Sequence, residues 1–285
     1  MKAIYLFIDG VGLAPAASDN PVNPEVCPTL CRLIEKHGKP IDACLDVDGP
    51  PQSATGQATM FTGVNCSKVM GKHCEGFPGP ALRKIVEDNN IFLQLKRREK
   101  KVKFADAYLV DEVEELESRR FKSVTTVMAL TTPEVVATVN ELFEDKAVMQ
   151  DLTRESIQDR YPDIPTIIPR TAAEHLFSIA RDADFTLFEF FQTDVAGHSM
   201  DYNRACAVLR TYDRFLAALV RLAEAAGITI VITADHGNIE SISERGHTRN
   251  PIPFIVYGNK ESFIRDRVES LIDVMPALLA AYDQL

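Results

Sequence analysis

The sequence has no excess of basic residues. Its 31 Lys and Arg residues stand against 41 Asp and Glu residues, which gives a formal net charge of −10 at pH 7. A general nucleic-acid binder needs a basic face that neutralises phosphates, so this charge argues against nucleic acid as a partner. It still allows a small phosphorylated substrate, because divalent cations can invert the sign of the field inside one cleft.

Long apolar runs and a cysteine framework are also missing. No stretch approaches the ~18–20 apolar residues of a membrane span, so we expect no membrane partner. The first residues run directly into a strand-like segment, which predicts that no secretory leader is present. The six cysteines are too few for a disulfide framework in 285 residues, and they predict reduced thiols in a cytoplasmic protein. A zinc site at Cys27 and Cys31 is not expected, because no second cysteine pair lies nearby.

Hydrophobic residues make up 46% of the chain, which is enough for a substantial core. The hydrophobic pattern predicts strands at residues 3–8, 102–108, 123–130, 184–192, 228–235 and 251–258, and helices at 28–37, 53–61, 80–100, 171–182, 201–226 and 265–283. This alternation predicts a single α/β domain over residues 1–285, with a mostly parallel central sheet and helices on both faces. Residues 132–170 are the least regular part and are the candidate for a small lobe or cover.

Three of the predicted strands end in an aspartate: Asp9, Asp194 and Asp235. Any one of these carboxylates alone could simply cap the following turn or helix. Function in parallel sheets gathers at the carboxyl ends of the strands, so all three would face the same crevice. Their mutual repulsion there would call for cations.

Three of the six histidines accompany these aspartates. His198 follows Asp194 by four residues, His236 directly follows Asp235, and His247 precedes the last predicted strand. Neutral imidazole and carboxylate are ligand types for zinc and manganese-like ions. A lone histidine is more often a hydrogen-bonded structural residue, but three at one sheet edge indicate a metal site.

The segment from Gln52 to Gly63 offers hydroxyl groups at the start of a predicted helix. A helix N-terminus presents free N–H groups and the positive end of the helix dipole, and therefore attracts phosphate. From this segment alone, an N-cap role for Ser53 is an equally good interpretation.

Five motifs in order resemble the alkaline phosphatase superfamily, and most of all its branch with cofactor-independent phosphoglycerate mutase and phosphopentomutase. They are Asp9-Gly10 after the first strand, Ser53 with the Thr62-Gly63 turn, D-x-x-x-H from Asp194 to His198, T-A-D-H-G-N at 233–238, and G-H-T-R-N-P-I-P at 246–253. Each motif alone is weak, but the ordered set is specific and covers nearly the whole chain.

The resemblance implies an alkaline phosphatase-like fold and two divalent metal ions, Zn²⁺ or Mn²⁺, with Mg²⁺ as a further option. One ion would be held by Asp194, His198 and His247, and the other by Asp9, Asp235, His236 and the oxygen of Ser53. Ser53 would be the nucleophile and would form a phosphoserine. It lies nine residues before Thr62, the spacing of the family nucleophile, whereas Thr55 does not fit. The sulfatase C-x-P-x-R setting is missing here, which argues against sulfatase activity.

The chain departs from the mutases at one place. Cofactor-independent phosphoglycerate mutase inserts a cap domain that excludes water, but here the corresponding positions, Gly63 and Gly76, are only thirteen residues apart. An open site should let water finish the reaction, so we expect a phosphomonoesterase or phosphodiesterase. A phosphoglycerate- or phosphopentose-type mutase and a non-catalytic metal-binding member are the alternatives.

Substrate contacts are harder to identify in the sequence. Lys68, Lys72, His73 and Arg249 are candidates for binding a phosphate oxygen, although each lysine is equally well explained as a solvated surface charge. Asn238 and Glu240 are candidates for orienting His236. The sequence leaves the substrate and the oligomeric state open.

Overall fold

In the computed structural model, which describes residues 1–284, six strands form one sheet. The strands are β1 (Ala3–Ile8), β2 (Gly38–Ile41), β3 (Val102–Phe104), β4 (Phe185–Phe190), β5 (Thr229–Thr233) and β6 (Ile252–Tyr257). Their order across the sheet is β2-β6-β5-β1-β4-β3. β1 pairs in parallel with β4 and β5, and β3 pairs in parallel with β4. The expected mostly parallel α/β sheet is therefore confirmed.

Helices connect and cover the strands. The α-helices are α1 (Pro28–His37), α2 (Ser53–Thr62), α3 (Cys66–Met70), α4 (Pro80–Asp88), α5 (Ile91–Arg97), α6 (Val113–Ser118), α7 (Val124–Leu130), α8 (Val139–Phe143), α9 (Pro169–Arg181), α10 (Gln192–His198), α11 (Tyr202–Ala226), α12 (Glu261–Arg265) and α13 (Leu271–Asp283). Single turns of 3₁₀-helix lie at Pro133–Val135 and Glu155–Ile157. No helix within residues 1–284 combines the length and the apolar character that a membrane span requires.

The strand predicted at residues 123–130 is wrong, because this segment forms α7. Its β-branched residues favour a strand in isolation. Ser123 overrides that preference as the N-cap, since its Oγ atom accepts a hydrogen bond from the N–H of Thr126 at 3.1 Å. The strand predicted at 102–108 is also too long, because β3 ends at Phe104 and only isolated bridges continue beyond it.

Capping residues change the bounds of two long predicted helices. The prediction for 80–100 becomes α4 and α5, because the side chain of Asn90 accepts a hydrogen bond from the N–H of Leu93 at 3.1 Å and starts a new helix. The prediction for 265–283 begins too early, because Ser270 and Asp273 form a capping box at the start of α13.

Strand β6 runs antiparallel to β5 and to the short strand β2. The sequence predicted neither β2 nor the antiparallel direction of β6. In the pairing with β5, Phe254 lies opposite Thr233, the last residue of β5. The amino end of β6 therefore lies at the edge of the sheet where β1, β4 and β5 have their carboxyl ends. This reversal brings the segment before β6, which contains His247, to the same edge as the three aspartates.

Two glycines allow backbone segments to approach closely at this edge. Gly10 has φ +70°, and a Cβ atom there would lie 2.7 Å from Oδ1 of Asp194. Gly56 lies in α2, and a Cβ atom there would lie 2.9 Å from the carbonyl oxygen of Asp235. Any side chain at either position would push apart the segments that carry the predicted ligands.

Residues 132–168, here called the lobe, lie beside the end of β3. Backbone hydrogen bonds join Ala107 to Val148 and Tyr108 to Ala137 at 3.0 and 2.8 Å. The lobe contains only short helices and contributes to a small hydrophobic cluster separate from the main core: Ala107, Ala137, Val139, Leu142, Ala147, Ile157 and Ile164. Other lobe residues belong to the main core, so the lobe packs partly on its own cluster and partly against the rest of the domain: Val135, Val148 and Leu152.

Candidate metal centre

The predicted ligands meet at one edge of the sheet. Asp9 follows β1, the pair Asp235-His236 follows β5, and His247 lies in the segment before β6. Asp194 and His198 lie on α10, which follows β4, and their spacing of four residues puts them on one helix face. The topology thus collects side chains that are 238 positions apart in sequence, from Asp9 to His247.

Asp194, His198 and His247 form the first group. The Nε2 atoms of the two histidines lie 3.1 Å apart. Oδ2 of Asp194 lies 3.3 Å from Nε2 of His198, and Oδ1 lies 3.6 Å from Nε2 of His247. These three residues are the set that the resemblance implies for one ion.

A hydrogen bond fixes the tautomer of His247. Its Nδ1 atom lies 2.9 Å from the carbonyl oxygen of Pro51, which can only accept, so Nδ1 carries the proton. The lone pair of Nε2 is then directed towards His198 and Asp194. Metal-bound histidines typically donate their second N–H in this way, so the arrangement fits an ion between these three side chains.

The second group surrounds His236, which is fully buried. Its Nε2 atom lies 3.3 Å from Oδ1 of Asp9 and 3.4 Å from Oδ2 of Asp235. Ligand atoms of Asp9, Asp194 and His236 all lie within 4.8 Å of one another. Asp194 therefore faces both groups, whereas the sequence-based division assigned it to one ion only. Asp235 stays close to His236, and its assignment to the second ion stays a prediction.

The electrostatics of this group are unfavourable without a cation. Burial, followed by the charges of Asp235, Asp194 and Glu189, raises the pKa of Asp9 well above its usual value. Burial and the charge of Asp194 raise the pKa of Asp235 to about 6. Burial and the neighbouring His247 lower the pKa of His236 to about 3, so this imidazole is neutral. Clustered carboxylates and neutral imidazoles are a donor set that suits divalent metal ions.

Buried atoms without a hydrogen-bond partner also indicate a cation site. Within residues 1–284, Oδ1 of Asp9 and Nδ1 of His236 are buried without a hydrogen-bond partner. An unsatisfied buried polar atom is costly, and a native structure usually provides a reason for it. For Oδ1 of Asp9, which faces His236, a coordinated cation supplies that reason.

Ser53 lies at the first position of α2, and its Oγ atom is 3.0 Å from Nε2 of His236. The alternative hydroxyl, Thr55, is fully buried. The Oγ1 atom of Thr55 is 3.4 Å from the carbonyl oxygen of Gln52 and accepts a hydrogen bond from the N–H of Cys74 at 3.1 Å. Thr55 therefore holds the loop to the helix, whereas Ser53 faces the predicted metal ligands.

Sequence reasoning missed Gln57, which lies one turn along α2 from Ser53. Its Nε2 atom lies 3.2 Å from Oδ2 of Asp235 and 3.4 Å from Oδ2 of Asp9, so it bridges the two carboxylates. It also missed Glu189, a buried carboxylate near the carboxyl end of β4 that accepts a hydrogen bond from Thr125 at 2.6 Å. A single acidic residue within an apolar strand is the signal that could have identified Glu189.

Asn238 and Glu240 do not orient His236, contrary to the expectation from the sequence. The Nδ2 atom of Asn238 donates to Oδ1 of Asp194 at 2.6 Å and so fixes a ligand that faces both groups. Glu240 accepts hydrogen bonds from the N–H groups of Gly12 and Asn238 at 2.9 and 2.8 Å. Glu240 therefore ties together the loops that follow β1 and β5.

A cavity of about 650 Å³ opens beside Ser53 and Asp9. Its walls include buried polar residues, apolar and aromatic side chains, and two arginines: Gln57, Asp106, Thr125, Gln150, Glu189, Phe77, Tyr108, Leu109, Met149, Phe191, Arg119 and Arg160. Segment 104–109, the loop before α7 and the lobe thus supply much of the wall. The sequence predicted none of these contacts.

The substrate contacts predicted from the sequence lie outside this cavity. Lys68, Lys72 and Arg249 are exposed and do not line it. His73 uses both ring nitrogens within its own surroundings, with Nδ1 at 3.1 Å from Oγ of Ser67 and Nε2 at 3.2 Å from the carbonyl oxygen of Val47. A role for these four residues in substrate binding stays a prediction, and the cavity offers better candidates.

Comparison with known proteins identifies a metalloenzyme family. The family model described as "Metalloenzyme superfamily" matches residues 1–282. The chain is 32% identical over 143 residues to the 2,3-bisphosphoglycerate-independent phosphoglycerate mutase of Cereibacter sphaeroides, covering 44% of this chain and 28% of that protein. It is 30% identical over 109 residues to the mutase of the same name from Methylobacillus flagellatus, covering 36% of this chain and 21% of that protein. The chain thus spans about a quarter of the length of these curated relatives.

Solved structures share the fold over almost the whole chain. The alkaline phosphatase from the Antarctic bacterium TAB5 has a TM-score of 0.57 at 12% identity, covering 99% of this chain and 97% of that one. The PH0037 protein from Pyrococcus horikoshii has a TM-score of 0.57 at 14% identity, covering 100% of this chain and 97% of that one. At these identities the similarity shows the fold alone.

Proposed function

This chain belongs to the metalloenzyme superfamily, and we propose that it is a two-metal phosphohydrolase that cleaves a phosphate monoester or diester through a phosphoserine at Ser53. The observation that carries the proposal is the position of the Ser53 hydroxyl. It lies 3.0 Å from His236, at the start of α2 and on the wall of the 650 Å³ cavity. A nucleophile, a metal-ligand cluster and space for a substrate therefore meet at one point.

The residues that would hold the ions are the two groups described above: Asp194, His198 and His247, and Asp9, Asp235, His236 and Ser53. Imidazole and carboxylate favour Zn²⁺ or Mn²⁺, with Mg²⁺ as a further option. When bound, such ions lower the pKa of a serine hydroxyl and neutralise charge on the phosphoryl group.

The start of α2 supplies donors for the phosphate itself. Within the described chain, the N–H groups of Ser53 and Ala54 have no acceptor, as is usual for the first turn of a helix. They can donate to phosphate oxygens beside the attacking atom. The Ser53 oxygen would form the bond to phosphorus as the alcohol leaves with a proton. Water would then displace the serine oxygen, which regains its proton as the product leaves: inorganic phosphate from a monoester, or a phosphate monoester from a diester.

Water access supports hydrolysis over transfer. Between α2 and α4, the five-residue helix α3 is the only regular element, so residues 63–79 contain no separate domain. Several side chains on the cavity wall are also exposed to solvent, among them Phe77, Arg119 and Phe191. Water can therefore reach the site, and a phosphoserine there would be hydrolysed.

A phosphomutase is the second candidate. Curated proteins that resemble part of this chain are named phosphoglycerate mutases. The lobe also encloses one side of the cavity, and an enclosed site would favour return of the phosphoryl group to the substrate. A non-catalytic role is less well supported, because every position of the nucleophile and ligand set carries a chemically competent residue.

Assays on metal-loaded protein test the proposal. Protein with Mn²⁺ or Zn²⁺ should hydrolyse nitrophenyl phosphate or bis(nitrophenyl) phosphate. The Ser53→Ala variant should lose turnover but retain its metals, whereas Ser178→Ala, an exposed serine on α9, should behave as wild type. Interconversion of phosphoglycerates without hydrolysis of either ester would favour the mutase, and absence of metal binding would refute both enzymatic proposals.

The physiological setting is part of the same proposal. We expect a small phosphorylated metabolite as the substrate, since the acidic surface is unsuited to nucleic acid. The six cysteines favour a reducing, cytoplasmic location. Activity of the protein in a fractionated cell extract would test that location.

A further inference from the structure

The cavity beside Ser53 is large for a simple phosphate ester. Its volume of about 650 Å³ lies within the range of pockets that bury drug-sized ligands, about 300–1,000 Å³. A phosphoryl group bound at Ser53 would fill only part of it. The remaining space must accommodate the alcohol part of the ester, which leaves during the reaction.

Two arginines on the cavity wall are without ionic partners. Arg119 and Arg160 both line the cavity, and both are exposed. Within residues 1–284, neither guanidinium group forms a salt bridge, although Arg160 lies over the ring of Tyr161 at 5.0 Å. The acidic residues that line the cavity are all buried: Asp9, Asp106 and Glu189. Burial therefore places the negative charges on the floor and the two positive charges at the rim.

Aromatic side chains provide a flat apolar surface at the same rim. Phe77 lines the cavity, and its side chain is 55% exposed. The ring of Phe121 lies beside it, with a centroid distance of 5.5 Å and an interplanar angle of 34°. Exposed aromatic rings of this kind pack favourably against the face of another flat group. Phe191 adds a further exposed ring to the cavity wall.

We propose that the substrate is a phosphate ester whose leaving group is large and flat and carries a second anionic group, which Arg119 and Arg160 bind. This inference rests on the proposed function, because it names the ester that Ser53 would cleave. The arginine fork binds carboxylate or phosphate through paired charge-assisted hydrogen bonds, so the rim selects for a negative charge at the far end of the substrate.

A substrate of this class would distinguish this chain from enzymes that act on very small esters. An ester of a three-carbon acid would place its charge close to its phosphoryl group, away from the two arginines at the rim. A larger leaving group would span the cavity and contact Phe77 on the way to the arginines. Size and charge must therefore act together in recognition.

Binding of stable phosphonates to the Mn²⁺-loaded protein tests this directly by calorimetry. The three ligands are naphthylmethylphosphonate, the same compound with a carboxylate on its distal ring, and the short 3-phosphonopropionate. We expect the carboxylated naphthyl ligand to bind at least about tenfold more tightly than either of the other two. A charge-assisted hydrogen bond typically contributes that much to affinity. The double variant Arg119→Gln/Arg160→Gln should remove that advantage and leave the affinity for the naphthyl ligand without the carboxylate unchanged. Arg210→Gln, an exposed arginine on α11 outside the cavity, is the matched control.

Two outcomes would overturn the inference: equal affinity for the two naphthyl ligands, or an advantage that survives in the double variant. Hydrolysis of nitrophenyl phosphate and of bis(nitrophenyl) phosphate, measured on the same samples, reports on the proposed function separately. If the protein hydrolyses either ester but does not prefer the carboxylated ligand, the proposed substrate class is refuted and the phosphohydrolase is not. The expected binding pattern without turnover refutes the phosphohydrolase and supports the binding site.

Discussion

The Nδ1 atom of His247 lies 2.9 Å from the carbonyl oxygen of Pro51, two residues before Ser53, the proposed nucleophile. This hydrogen bond joins a predicted metal ligand to the segment that starts α2. The ring of His247 also stacks on that of His236, with centroids 3.6 Å apart. One imidazole thus connects the two ligand groups and Ser53.

Replacement of His247 tests the assignment of ligands. His247→Ala should lower the metal content from about two ions per chain towards one, because a site with three protein ligands loses one of them. Metal analysis of the purified variant would measure this. His37→Ala is the matched control, since His37 pairs with Glu261 at 2.9 Å and is not one of the predicted ligands. Full occupancy in His247→Ala would contradict the assignment.

Asn238 should matter for metal affinity although it is not itself a predicted ligand. Its side chain donates a hydrogen bond to Asp194 at 2.6 Å. Loss of a residue that hydrogen-bonds to a metal ligand typically lowers metal affinity about 10–100-fold. We therefore expect Asn238→Ala to weaken metal binding by that factor, measured by competition with a chelator. Asn259→Ala removes a surface hydrogen bond to Gly227 instead and should leave the affinity unchanged.

Metal binding should stabilise the protein more at pH 8 than at pH 5. Burial raises the pKa of Asp9, and it raises that of Asp235 to about 6, so protons compete with the metal at the lower pH. In the metal-free protein these raised values favour the folded state at low pH, and that contribution is lost as the pH rises through them. His236 has a pKa of about 3 and is neutral at both pH values. Thermal unfolding with and without a chelator would measure how far the metal raises the unfolding temperature at each pH. An equal rise at pH 5 and pH 8 would contradict this prediction.

Asp151 should stabilise the lobe. Although its burial raises the pKa, hydrogen bonds from the N–H groups of Ser156, Thr153 and Arg154 hold the pKa below its usual value. This contribution is present above the unfolded pKa and is lost as the pH falls through the folded value. Asp151→Asn should lower the free energy of unfolding by about 1–3 kcal/mol at pH 7, measured by urea denaturation. Asp163→Asn, an exposed position in the same lobe, should cost much less.

Much of the site could be predicted because its residues follow strong local patterns. Asp9 and Asp235 follow buried apolar strands, and the parallel sheet brings such ends together. Asp194 and His198 lie one helical turn apart, as their spacing indicates. These signals are local, and tertiary contacts did not override them.

The features that escaped prediction depend on long-range contacts. Gln57 is one polar residue on a buried helix, and only the fold shows that it bridges Asp9 and Asp235. The antiparallel direction of β6 is not encoded in its apolar run, yet it places His247 at the functional edge. The cavity wall combines segments far apart in sequence, which explains why Arg119 and Arg160 were not recognised.

The most direct test is to identify the residue that carries the phosphoryl group. Metal-loaded protein should be mixed with nitrophenyl phosphate and quenched in acid within the first turnovers, and its peptides should be analysed by mass spectrometry. We predict phosphate on Ser53, none on Thr55, and none in the Ser53→Ala variant. Turnover without phosphate on Ser53 at any quench time, or with phosphate on another residue, would contradict the account.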